Sequence, residues 1–197
     1  DRQRETPDGE RGIWRRASER LLGDGLVSAI TVAAGDSNRV AAGATDGRLY
    51  VTDTGASATG ARWDITRPRD GWVTSVTHDP SNPEVMYATY GGFGGAHVFK
   101  SVDGGRTWRS IDGTADASIP DVPVHSIVVD PLRPDRLYLG TDVGIFVSER
   151  GGDAWAVKNT GFGAVVTEWL APLVTPRGER WLFAFTHGRG AWKVQMN

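Results

Sequence analysis

A repeat of roughly 45–50 residues constrains this chain more than any other feature. Trp14, Trp63, Trp108 and Trp155 stand 49, 45 and 47 residues apart. The clearest copy of the surrounding pattern is Ser101-Val102-Asp103-Gly104-Gly105-Arg106-Thr107-Trp108, directly after the short apolar run 97–100. A worn copy, Ser148-Glu149-Arg150-Gly151-Gly152-Asp153-Ala154-Trp155, follows Ile145-Phe146-Val147, and looser ones end at Trp63 and Trp14. Three further columns keep the same period. One begins with valine: Val27-Ser28-Ala29-Ile30, Val73-Thr74-Ser75-Val76, Val124-His125-Ser126-Ile127 and Val166-Thr167-Glu168-Trp169. The next covers 40–45, 85–89, 137–141 and 181–186; the last carries an aromatic at Tyr50, Phe99, Phe146 and Trp192. Each period therefore holds four short strands, A to D. Repeats of this length and content predict an all-β fold, a β-propeller of four-stranded antiparallel blades.

The tight turns have a physical logic. Gly104 and Gly105 tolerate the positive φ angles of a short hairpin, and the Asp103 carboxylate is placed to accept hydrogen bonds from the turn's own N–H groups. Trp108 then opens strand D with a large ring to bury. The A–B turns, such as Asp79-Pro80-Ser81-Asn82-Pro83, Asp130-Pro131-Leu132-Arg133-Pro134 and Ala34-Gly35-Asp36-Ser37-Asn38, are rich in residues that bend the chain and deny it a helix. Residues 18–22 allow one helical turn at most.

This S-x-D-x-G-x-T-W pattern resembles the Asp-box, or BNR repeat, of sialidases, xyloglucanase-type glycoside hydrolases, sortilin-type receptors and a photosystem II assembly factor. The resemblance implies a structural role for Ser101, Asp103, Gly105, Thr107, Trp108 and Trp155, on outer hairpins away from the ligand face. It also implies a bacterial, secreted or periplasmic protein.

On this reading residues 1–10 form an extended N-terminal segment and 11–197 the propeller. The blades span about 27–66, 73–112, 124–159 and 166–196, with an additional strand at 12–16. The fourth blade supplies only strands A to C. Either residues 12–16 close the ring as its missing D strand, removing an exposed edge, or the chain is the C-terminal part of a larger ring. A start at Asp1 with no signal peptide leads us to expect a processed or partial chain.

Composition narrows the function classes. A net charge of −2 gives no electrostatic footprint for nucleic acid. With no cysteine there is no disulfide or thiolate metal site, and no apolar run approaches a membrane span. His78, His97, His125 and His187 show no metal-ligand spacing, so neither metal nor cofactor is expected.

Strand alternation gathers the D–A and B–C loops on one face of a propeller, and residues that break the repeat there are the binding candidates. They are Trp72, in a cluster with Arg67, Arg69 and Asp70; Tyr90 and Phe93, in a glycine-rich loop; Asp142; and His187 and Arg189. Glu168 is the weak candidate for catalysis: in a column reading Ala29, Ser75, Ser126, Glu168 it alone is acidic, placed to reach channel water, to act on a substrate or, as the plainer expectation, to pair with an arginine such as Arg189. Glycoside hydrolysis needs two facing carboxylates. Asp46, Asp70, Asp121, Asp142 and Glu168 offer several pairs with no means of choosing, and the R-I-P signature of sialidases is absent. The reading is therefore a non-catalytic binding or scaffold module for a protein or a glycan. The alternatives are a glycoside hydrolase with catalytic groups partly in missing blades, and a structural subunit of a larger extracellular complex.

Overall fold

The structure, a computed structural model, describes residues 25–57 and 60–196. Residues 12–16 and 18–22 and the 1–10 segment lie outside the described residues. The elements, in chain order, are β1 (Val27–Ala33), β2 (Asp36–Ala44), β3 (Leu49–Thr52) and β4 (Asp64–Thr66), then β5 (Val73–His78), β6 (Met86–Tyr90), β7 (Val98–Ser101) and β8 (Arg109–Ser110). After a 3-10 turn at Ala115–Ala117 come β9 (Val124–Asp130), β10 (Arg133–Thr141), β11 (Gly144–Ser148) and β12 (Ala156–Val157). The last three are β13 (Thr167–Val174), β14 (Arg180–Thr186) and β15 (Gly190–Gln195). Each period folds into its own antiparallel sheet with neighbours in sequence order: three sheets of four strands and a last one of three among the described residues. These are the four blades of a β-propeller, with the A strands β1, β5, β9 and β13 packed successively against one another.

Blades are glued face to face. Ala41, Leu49 and Val51 of the first meet Val73, Val76, Met86, Ala88 and Phe99 of the second. Tyr87 of the second joins Val124, Ile127, Leu139 and Phe146 of the third, and Val128 and Tyr138 of the third join Leu170, Leu182 and Ala184 of the fourth. Small residues set the spacing. A Cβ on Gly43 would lie 2.3 Å from Val73 Cγ1, and one on Gly140 would lie 2.6 Å from the Thr167 carbonyl oxygen, so the next A strand comes as close as backbone allows. The arc is open. Ile30, Val32 and Ile65 on the outward face of the first blade are exposed, and so are Trp169, Leu173 and Phe185 on that of the last.

The turns follow the sequence logic. Asp79 Oδ1 accepts from the Ser81 N–H (2.8 Å) and Oγ–H (2.7 Å), Asp130 Oδ1 accepts from the Leu132 N–H (3.0 Å), and Asp36 Oδ1 from the Asn38 N–H (3.0 Å). In the 101–108 hairpin, Gly104 and Gly105 have φ of 72° and 84°. Asp103 Oδ1 accepts from Ser101 Oγ–H (2.7 Å), Arg106 N–H (3.0 Å) and Thr107 N–H (2.9 Å), while Oδ2 accepts from Thr107 Oγ1–H (2.5 Å). The 148–155 hairpin keeps the glycine geometry and the Gly152 N–H to Ser148 Oγ bond (2.9 Å), matching Gly105 N–H to Ser101 Oγ (2.9 Å), with Arg150 where Asp103 stands.

Those hydrogen bonds, led by the one from the Thr107 hydroxyl, hold the Asp103 carboxyl at about 2, below its ordinary 3.8. A depressed carboxyl stabilises the fold above its unfolded-state value and loses that contribution as pH falls through the folded one. The contribution of the Asp103 carboxylate is thus complete above about pH 5 and gone near pH 1. Asp103→Asn is expected to flatten the loss of stability across this acid window, read from melting temperatures of both proteins at half-unit pH steps.

One expected register is corrected. Thr167, not Val166, is the first residue of the fourth A strand: Thr167 pairs with Thr186 as Val124 pairs with Thr141 and Val73 with Tyr90. Thr167 is fully buried and as β-branched as the valine it replaces, so it fills the same position and leaves Val166 in the loop. Trp108 is also less enclosed than its neighbour in the repeat: it is half-buried, whereas Trp155 is 6% exposed.

Candidate functional site: the loop face at the inner ends of the blades

Every A strand carries a β-bulge after its first residue. The pairing skips from Val27 to Ala29, from Val73 to Ser75, from Val124 to Ser126 and from Thr167 to Trp169. The unpaired residues are Ser28, Thr74, His125 and Glu168. A bulge frees one side chain from the ladder and re-aims it, and the four are used in two ways. Ser28 Oγ–H and Thr74 Oγ1–H donate to the carbonyls of Val73 (2.6 Å) and Val124 (2.5 Å), stitching each blade to the next. His125 and Glu168 instead turn to their own B–C loops. His125 Nε2 lies 2.7 Å from Asp142 Oδ1, and His187 Nδ1 lies 2.9 Å from Glu168 Oε1. The third and fourth blades thus carry the same acid–imidazole pair with the two partners exchanged. The first is partly buried; the second is exposed, at 77% for the His187 and 58% for the Glu168 side chain.

The expected column for Glu168 is corrected accordingly. The slip of one position moves it out of the Ala29, Ser75, Ser126 column, which Trp169 occupies, and into the bulge column. Glu168 pairs with His187 rather than with Arg189, which is exposed.

The second blade supplies the apolar part of this face. Trp72 is 57% and Phe93 68% exposed, on adjoining loops joined by the Gly91 N–H to Trp72 carbonyl bond (2.9 Å). Tyr90 is a correction: it is fully buried and presents no surface to a ligand. It ends β6 opposite Val73, packs edge-on to Phe99 (5.4 Å between centroids), and its hydroxyl donates to the Gly47 carbonyl at 3.0 Å. Burial pushes its phenol above the usual tyrosine range, so it stays a neutral donor. The Arg69 guanidinium sits 5.6 Å over the same ring and donates to the Ala96 carbonyl (2.7 Å), tying the D–A loop to the glycine-rich loop.

A second tie was not visible in the sequence. The His97 side chain, 2% exposed, lies between two carboxylates, with Nδ1 at 3.3 Å from Asp112 Oδ2 and Nε2 at 3.2 Å from Asp121 Oδ1. Asp112 also accepts from the N–H groups of His97 and Val98 (both 2.8 Å). Burial pushes the Asp112 carboxyl up, but these hydrogen bonds outweigh it and hold it below its ordinary value. Asp121 Oδ1 accepts from the Gly94 N–H at 2.7 Å. The two aspartates therefore anchor the loop that displays Phe93.

The carboxylates proposed for acid–base work are each engaged locally. Asp46 is bonded to Arg48, Asp70 pairs with Arg67 at 2.8 Å, Asp121 with His97, Asp142 with His125 and Glu168 with His187. Among the described residues there is no group of three or more His, Cys, Asp or Glu side chains placed to hold a metal ion. The arrangement suits recognition: two exposed aromatic faces on one blade, beside hydrogen-bonding acid–imidazole pairs on the next two.

No family model and no curated protein matches the sequence. Solved structures do. The GH74 xyloglucanase from Xanthomonas campestris is 16% identical with a TM-score of 0.63, over 85% of this chain and 29% of that one. An ancestral GH74 enzyme is 20% identical with a TM-score of 0.54, over 85% of this chain and 25% of that one. YCF48 from Cyanidioschyzon merolae is 16% identical with a TM-score of 0.54, over 90% of this chain and 58% of that one. The chain therefore spans under a third of the two GH74 enzymes and 58% of YCF48, and at such identities the likeness is one of fold: the blades of a β-propeller.

Proposed function

We propose that this chain is a non-catalytic binding or scaffold module that recognises a protein or a glycan through its loop face, as an Asp-box propeller of secreted or periplasmic origin. The observation that carries the reading is the pairing of exposed Trp72 and Phe93 on a face whose acidic side chains are each engaged by a neighbour. Aromatic rings contribute much of the energy at interfaces, and a flat exposed ring also stacks on a sugar. Asp142, His187 and Arg189 supply polar contacts beside them.

The GH74 likeness favours one specific alternative, a glycoside hydrolase whose second carboxylate lies in blades beyond these four. Two measurements separate the readings. Binding of xyloglucan oligosaccharides and a broader glycan panel is expected to weaken about tenfold, near 1.4 kcal/mol, in Trp72→Ala or Phe93→Ala. Turnover of aryl-glycosides, a sialoside among them, is expected to be absent; turnover abolished by Glu168→Gln would establish the hydrolase instead. Binding that ignores both aromatics but is lost on changing the 101–108 hairpin would place recognition on the opposite face.

A further inference from the structure

Two departures from the repeat meet in the wedge between the first and second blades. The first is Val51. It pairs with Ala41 as Lys100, one blade later, pairs with Tyr87. In the wedge between the second and third blades Lys100 reaches across: its Nζ lies 5.4 Å from the Tyr87 ring centre and 3.4 Å from the place of a Cβ on Gly151. Val51 and Ala41 are too short to do the same. A cavity of about 250 Å³ remains between the first two blades, floored by Val40, Val51 and Met86, with Gly104, the counterpart of Gly151, at its edge.

The second departure is His78. By strand pairing its column reads Val32, His78, Val129 and Pro172, so the histidine stands where the other blades are apolar. The residue is 8% exposed and lines the cavity. Its Nδ1 lies 3.0 Å from the Pro83 carbonyl oxygen, which only accepts, so Nδ1 carries the proton and donates. Burial holds the imidazole below its ordinary range and keeps it neutral. Nε2 is therefore a lone-pair acceptor, and among the described residues nothing donates to it. That buried acceptor needs a donor from outside the chain.

The rim of the cavity is polar in both senses. Arg39 of the first blade crosses to Glu84 of the second at 2.5 Å. Arg62 and Arg106 offer N–H groups, and Asp53 and Asp64 offer oxygens. A simple anion would meet the two aspartates and the His78 lone pair. Hydroxyls suit the mixture better, because each both donates and accepts. An apolar floor under such a rim matches a pyranose, which has a face of C–H bonds and an edge of hydroxyls. The volume falls below the roughly 300–1,000 Å³ of sites for drug-sized ligands, which fits a single ring.

We propose that this cavity binds one neutral pyranose residue, a hydroxyl of which donates to His78 Nε2. The cavity lies on the face of the A–B turns and C–D hairpins, opposite Trp72 and Phe93, so the proposal is separate from the function proposed above. Both of its walls belong to described blades. The described residues start at Gly25, against Asp46 at the other end of the strands.

The full chain, labelled with nitrogen-15 and carbon-13 at histidine only, is titrated with the methyl pyranosides of glucose, galactose, mannose and xylose, and the imidazole resonances are followed. At least one glycoside is expected to move the His78 Nε2 signal saturably. Affinity should fall about tenfold or more in Val51→Lys, which puts the next blade's side chain into the cavity, and severalfold in Arg62→Gln, a change at an exposed rim position that leaves the core intact. No movement of His78 with any of the glycosides would overturn the proposal, and so would an affinity unchanged in both variants. Movement of His78 by inorganic phosphate and by no glycoside would also overturn it, by making the site one for oxyanions. Shifts confined to His125 and His187 would do the same while supporting recognition at the loop face, so the two readings fail separately.

Discussion

Trp155→Ala is expected to cost about 3–5 kcal/mol, the range for deleting a large buried ring. The side chain is 6% exposed, packs with Ile111, Tyr87 and the third blade's core, and donates to the Ile111 carbonyl. Truncation opens the wedge between two blades and leaves that carbonyl without its indole partner. Trp108→Ala should cost less, because its ring is half-buried. Urea denaturation of the two variants checks both the size and the order. A Trp155→Ala protein within about 1 kcal/mol of the parent would mean that the wedge is not closed as described. Among the described residues each inner blade packs against its two neighbours, so loosening one wedge removes one of its two interfaces.

The blades were legible because their signal is periodic and local. The aromatics Tyr50, Phe99, Phe146 and Trp192 all fall on C strands, and the acidic A–B turns form the bonds that Asp, Ser and Asn favour. The bulges were not legible. A bulge adds one residue without changing composition, and a shift of one exchanges the two faces of a strand. That is why sequence alignment of the repeats sets Glu168 in a column of small residues when it belongs with Ser28, Thr74 and His125. Tyr90 failed for a related reason: it borders a glycine-rich loop, but its neighbours Phe99 and Gly47 lie in other strands and loops and give no local sign that the ring is buried. The His97 anchor rests on partners 15 and 24 residues away, on a turn and a loop whose positions only the folded blade fixes.

The same limit applies to a contact that holds the last two blades together, and it gives the second large prediction. Asp130 closes the third A–B turn, and its side chain has no solvent exposure. Arg180, at the start of β14 in the next blade, donates through one nitrogen to both carboxylate oxygens, at 2.9 and 3.1 Å, and Arg136 lies 3.9 Å away. Asp79, its counterpart one blade earlier, makes the turn bonds, and among the described residues no arginine pairs with it. Removing one partner of a buried pair strands the other charge, at a cost of about 3–5 kcal/mol, whereas losing turn hydrogen bonds alone costs about 1–3 kcal/mol. Asp130→Ala should therefore destabilise the protein clearly more than Asp79→Ala. Arg180→Met, which removes the cation but keeps an apolar stem, should unfold at an intermediate denaturant concentration. In a double-mutant cycle Asp130→Ala and Arg180→Met should be strongly non-additive, because both break one interaction. Additive losses would show that Asp130 acts only through its turn, and that the apolar contacts of Leu170, Leu182 and Ala184 alone join the fourth blade to the third.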